Sequence, residues 1–125
     1  MRTKIMAAMV VLGGCMSDPS GVENALPSYT QYGWVGGSAN DNNEADASFF
    51  AIGAMQVDGT SVSFTYDWEN GEIDGTLSGT QLIGRWTQSN GSGPQEIDFD
   101  ANGNFVSGWW ADDGDSTHHA AFLLE

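Results

Sequence analysis

The chain has 125 residues, 17 Asp and Glu against 3 Lys and Arg, a net charge of −14, 17 Gly and one Cys. That length holds one domain, and a single Cys excludes a disulfide framework. Two of the three basic residues, Arg2 and Lys4, lie before the first carboxylate and leave only Arg85 beyond it. A phosphate backbone would be repelled, so no nucleic acid is expected as a partner.

Arg2 and Lys4 are followed by eight apolar residues, Ile5 to Leu12, and then by Gly13, Gly14 and Cys15. A positive start, a short apolar core and small residues mark a signal peptide. Eight helical residues rise about 12 Å against a hydrocarbon layer of about 30 Å, too little for a permanent span. Leu12-Gly13-Gly14-Cys15 resembles the lipobox of bacterial lipoproteins. The resemblance implies cleavage before Cys15, diacylation of its thiol and acylation of the new amino terminus. An ordinary secretory leader with an incidental Cys is the alternative, and the placing of the sole Cys at the lipobox position favours the lipoprotein. Met16 in place of Asp at the next position, by the sorting rule of Gram-negative lipoproteins, implies outer-membrane delivery in a cell with two membranes. Two or three acyl chains suffice for anchoring, so the expected membrane contact is through lipid alone. The expected layout is a signal peptide over 1–14, the acylated Cys15 with a flexible tether over 15–30 that contains Pro19, Gly21 and Pro27, and a barrel domain over 31–125.

Beyond the tether the apolar residues alternate with period two, with no convincing helical period. Turn pairs divide the chain into about eight strands, near 31–37, 48–57, 60–68, 72–78, 81–88, 95–100, 105–110 and 117–124. Two-residue turns fix the facing residues. Asp58-Gly59 places Met55 opposite Val62, and Asn70-Gly71 places Trp68 opposite Ile73 and Tyr66 opposite Gly75. Gly79-Thr80 places Leu77 opposite Leu82, Gly75 opposite Gly84 and Ile73 opposite Trp86. A six-residue loop over 89–94 sets Trp86 opposite Ile97 and Gly84 opposite Phe99. Asn102-Gly103 then sets Ile97 opposite Gly108 and Phe99 opposite Val106. Glycines recur on the inward face beside large side chains, which lets a sheet curl tightly. The predicted fold is all-β, a single antiparallel up-and-down meander forming a closed or nearly closed β-barrel.

Gly84-x-Trp86 and Gly108-x-Trp110, with Gly53-x-Met55 and Gly75-x-Leu77, give a repeat that resembles the small barrels of the avidin and lipocalin superfamilies. The resemblance implies a non-catalytic binding module for a small apolar or aromatic-stacking ligand such as a sugar. Its expected lining is Tyr66, Trp68, Trp86, Phe99 and Trp110, with Phe64 beside them. The polar inward set of biotin-binding avidins is not matched. The rival expectation is a structural or inhibitor-like lipoprotein with a filled core, acting on an envelope protein through its outer face. Phe50, Ile52, Ile83, Phe105 and Trp109 are predicted on that face, where they would also suit a homo-oligomer interface.

The predicted register opposes Asp67 to Asp74 and Glu69 to Glu72 on the outer face. Like charges directly opposed destabilise a sheet. A bound Ca²⁺ would relieve the repulsion, and so would salt, in keeping with the acidity of proteins from saline habitats. Arg85 is predicted between Asp74 and Asp98 as an ion-pair bridge. Asp100, Asn102 and Asn104 have the oxygen spacing of a calcium loop's opening but lack its Glu, and 112–115 and 41–46 are further candidates of similar weakness. His118 and His119, adjacent in a strand, point to opposite faces and cannot share one ion. There is no nucleophile elbow, no His-Glu-x-x-His and no Lys beyond Lys4 for Schiff-base chemistry, so no enzyme is expected.

Overall fold

The computed structural model describes residues 20–37 and 40–125; the signal-peptide and lipobox readings, Cys15 included, lie outside the described residues. A helix α1, Ser20–Ala25, continues into a 3-10 turn, Leu26–Ser28. Nine strands follow: β1 Gln31–Trp34, β2 Ser48–Ala51, β3 Gln56–Asp58, β4 Ser61–Tyr66, β5 Gly71–Ser78, β6 Gln81–Gln88, β7 Gly91–Phe99, β8 Phe105–Trp110 and β9 His119–Leu124. They form one antiparallel sheet in the order β2-β1-β9-β8-β7-β6-β5-β4-β3. No helix among the described residues is long and apolar enough to cross a membrane.

The sheet is a curled half-barrel, open rather than closed. Its edges, β2 and β3, are two halves of the single predicted strand 48–57, which makes the count nine rather than eight. β2 lies against β1 and β3 against β4. Past β2 the chain crosses to the end of β4 through the bridge Ile52–Tyr66 and the bonds from Gly53 N to Thr65 O, 2.9 Å, and from Asp67 N to Ala51 O, 3.1 Å. Gly53 permits the changeover, since a Cβ there would meet Thr65 Oγ1 at 2.5 Å.

The hairpin at Gly79-Thr80 has the predicted register, Leu77 opposite Leu82 and Ile73 opposite Trp86. Three other turns differ. The β3–β4 turn is Gly59-Thr60, Gly59 taking φ 63°, so Val57 rather than Met55 faces Val62. The β4–β5 connection is a four-residue turn over 67–70 with Glu69 and Asn70 in the left-handed region. Tyr66 therefore faces Gly71 and Phe64 faces Ile73. The glycine of Asn70-Gly71 is needed inside the strand, where a Cβ would strike the Tyr66 ring. The 89–94 loop shrinks to Ser89-Asn90, which brings Leu82 opposite Ile97 and Trp86 opposite Gly93. Each change moves the pairing by an even number, so inward residues stay inward. Ile97 does face Gly108, but a bulge after Asp98 sets Phe99 against Phe105 in place of Val106.

The interior is filled. Ile73, Leu82 and Ile97 have no exposed surface, and Phe64 and Leu123 almost none. Phe50, Ile52 and Phe105, expected outside, pack against this core. Ile83 and Trp109 remain on the outer face, but both face Glu96, one on each side, so a carboxylate divides the expected apolar patch.

The expected tether over 15–30 is structured from Ser20 onward. Val22, Ala25 and Leu26 share one helical face and are buried. Gly21 lies against the Ala101 carbonyl, Tyr29 Oη donates to Gly103 O at 2.7 Å, and the Tyr29 ring meets Phe99 at 5.9 Å. α1 thus stoppers the barrel end that carries the 100–104 turn.

Candidate functional site: an aromatic mouth

The opposite end carries the turns 67–70 and 89–90 and the start of the 111–118 loop, and here a cleft of about 200 Å³ opens. Tyr32, Trp34, Tyr66, Trp68, Trp86 and Trp110 form its aromatic walls, and Gln88, Asn90 and Asp112 its polar rim. It is smaller than the 300 Å³ or more of an ordinary drug-sized site, so it suits one small ring and not a lipid.

Each wall has a local cause. Tyr32 and Trp34 alternate inward on β1, and their rings lie 5.7 Å apart. Tyr66 ends β4 over Gly71, 5.0 Å from Tyr32 and 5.4 Å from Trp34. Trp86 and Trp110 meet edge to face at 5.6 Å. Indole nitrogens need acceptors when buried, and both find backbone carbonyls: Trp86 Nε1 donates to Ala111 O at 2.8 Å and Trp110 Nε1 to Val35 O at 3.2 Å. These bonds immobilise two ring faces.

The rim is a relay. Tyr66 Oη donates to Gln88 Oε1 at 2.6 Å, and Gln88 Nε2 donates to Asn90 Oδ1 at 2.8 Å. Tyr32 lines the cleft and is almost fully buried. Burial pushes the phenols of Tyr32 and Tyr66 far above their usual range, so both remain neutral donors.

Of the five predicted lining residues, Tyr66, Trp68, Trp86 and Trp110 come together here. Phe99 does not, since it packs on Tyr29 at the stoppered end. Trp68 arrives from the 67–70 turn, 44% exposed, rather than from a strand opposite Ile73. Tyr32 and Trp34 are new to the site, and their alternation on β1 was the available signal. The rim residues Gln88, Asn90 and Asp112 had none beyond lying in or beside turns. Gln95 is a buried polar side chain of the interior, its Nε2 donating to Leu82 O at 3.4 Å.

The predicted carboxylate quartet is dispersed. With a four-residue turn, Asp67 and Glu69 leave the ladder, Glu72 faces Thr65 and Asp74 faces Ser63. Glu69 instead accepts from Ser89 Oγ at 2.5 Å. No group of three or more His, Cys, Asp or Glu among the described residues is arranged to hold a metal. Asp100 is occupied by its own loop, with Oδ1 accepting from the Asn102 and Asn104 amides and Oδ2 from Asn104 Nδ2. His118 stacks on Trp109 at 3.7 Å and His119 on Trp110 at 4.5 Å.

Arg85 does face Asp74, but its other neighbour is Pro94, not Asp98, and its ion pair is with Asp113 at 2.5 Å. Asp113 also accepts from Ser92 Oγ at 2.8 Å. The Arg85 contact holds the Asp113 carboxyl below the usual carboxylate range. A depressed folded-state pKa stabilises above the unfolded value of about 4, and the contribution is lost as pH falls through the folded value. Carboxyl NMR titration of Arg85→Met is expected to move Asp113 up toward an ordinary Asp and leave Asp100, held down by Asn104, unmoved. An unmoved Asp113 would show that the ion pair does not persist in solution.

Compared with known proteins, the chain matches no family model, no curated protein sequence and no solved structure.

Proposed function

We propose that this protein is a lipid-anchored, non-catalytic binding module of the cell envelope that receives one small uncharged ring at its aromatic mouth. The observation that carries the reading is the mouth itself: six aromatic side chains converge on one cleft above a filled interior, two of them with indole nitrogens tied to backbone carbonyls. Rigid rings bind by stacking without losing much side-chain freedom, and a polar rim orients the guest. The filled interior turns the ligand away from a long lipid and toward a planar or pyranose ring. The anchor rests on Leu12-Gly13-Gly14-Cys15, and an outer-membrane address on Met16.

The rival is an interaction lipoprotein working through its outer face. Glu96 between Ile83 and Trp109, and the packing of Phe50, Ile52 and Phe105 against the core, break up the apolar patch expected on that face.

Tryptophan fluorescence during titration with glucose, N-acetylglucosamine and indole tests the reading. A saturable change with one of them is expected, weakened about tenfold or more in Trp110→Ala, as removal of a stacking ring costs over 1 kcal/mol. A flat response to all three would remove the module reading.

A further inference from the structure

A second depression adjoins the mouth. It is an open groove of about 790 Å³ walled by 51–53 on one side and by 65–71 with Ser89 on the other. Tyr66 and Trp68 line both depressions, so mouth and groove adjoin at these two rings.

A row of three tilted rings runs behind the junction. Trp34 lies 5.1 Å from Phe50 at 30°, and Phe50 lies 5.0 Å from Trp68 at 32°. Trp68 is therefore backed by Phe50 while 44% of its surface stays open to solvent, an unusual exposure for the largest apolar side chain. Past Trp68 the groove walls change character to Thr65, Asp67, Glu69, Asn70 and Ser89. Glu69 and Ser89 are joined both by their side chains and by the bond from Ser89 N to Glu69 O at 2.7 Å, so the two turns form one rigid wall.

The chemistry of the guest follows from these groups. A flat indole offers a face to the C–H surface of a sugar ring, and carboxylates, an amide and hydroxyls accept and donate to its edge. Neither depression has a Lys or Arg in its lining, while Asp67, Glu69 and Asp112 are present. An anionic polymer would be repelled. An isolated ring would use the mouth and leave the groove idle.

We infer that the ligand is a linear, neutral oligosaccharide, with one ring seated in the mouth and the following rings running over Trp68 into the groove. The inference rests on the mouth reading and extends it from a ring to a chain.

Calorimetric titration of the full chain with cello-oligosaccharides and chito-oligosaccharides of one to six rings tests it. Affinity is expected to rise about tenfold or more between one ring and four, the gain of one added stacking contact. Trp68 also walls the mouth, so the readout is the ratio of four-ring to one-ring affinity: Trp68→Ala should bring that ratio from about tenfold or more to near one, and Trp68→Tyr, which keeps a stacking ring, should restore it. Trp68 lies in an exposed turn, and an unchanged melting temperature will show that both variants fold. Affinity independent of length, or a gain that survives in Trp68→Ala, overturns the inference and leaves the mouth reading standing. Binding of indole with no sugar bound at any length does the same. If neither indole nor any sugar binds, both readings fall.

Discussion

A chain that begins at Pro27 is expected to be less stable by about 3–6 kcal/mol than one that begins at Ser20, a large share of the 5–15 kcal/mol of a small domain. The deletion removes Val22 and Leu26, whose side chains are fully buried, and uncovers Tyr29 and Phe99 beneath them. Burying an aliphatic side chain of this size contributes about 1.5–3 kcal/mol each. A fall in melting temperature of more than about 10 °C should follow. Equal melting of the two chains would mean that α1 is only tether, with its buried face dispensable.

Gly84→Val is expected to cost about 3 kcal/mol or more, at the upper end of overpacking penalties. Gly84 and Gly75 face each other on adjoining strands, and a Cβ on Gly84 would strike the Asp74 carbonyl oxygen and the Gly75 backbone. Backbone cannot turn aside as a side-chain end can, so β5 and β6 must separate. Gly36→Ala provides the contrast. It lies at the mouth with nothing near its Cβ direction, and its stability should stay within about 0.5 kcal/mol of the parent. Urea midpoints of the two variants give the comparison. Equal midpoints would show that the close approach of β5 and β6 is not needed for the curl.

Much of the architecture could be read from period-two alternation and turn pairs. Gly79-Thr80 set the β5–β6 register; Ile97 also met Gly108, but through a turn over 101–103 whose shift the bulge after Asp98 cancels. Parity carried most of the inward assignment even where turn lengths were misjudged, since a hairpin changed by an even number of residues keeps its faces. Two kinds of information were not local. The break at Gly53 depends on β3 joining β4 while β2 stays with β1, a matter of how the sheet's ends meet. The bulge after Asp98 turns Phe105 inward and leaves Val106 61% exposed, and no turn residue announces it. The helix was missed because Pro19, Gly21 and Pro27 read as linker, whereas the apolar spacing of Val22, Ala25 and Leu26 decided the matter. At the site, Tyr66, Trp86 and Trp110 were legible from strand parity, whereas Trp68 reaches the mouth from a turn and not from the strand expected for it. Phe99 was misplaced because facing inward does not say which end of a barrel a ring occupies.

The stopper at one end also gives the molecule a compass. Five chain steps separate Cys15 from Ser20, a reach of at most about 17 Å. An acyl group on Cys15, as proposed, would hold the 100–104 end close to the bilayer. β7 runs from the 89–90 turn at the mouth to the 100–104 turn at the stopper, so the aromatic cleft would look outward from the lipid surface. Its guest would arrive from the aqueous side, and the carboxylates along the barrel wall would keep the acidic lipid headgroups below from drawing the domain flat onto its side.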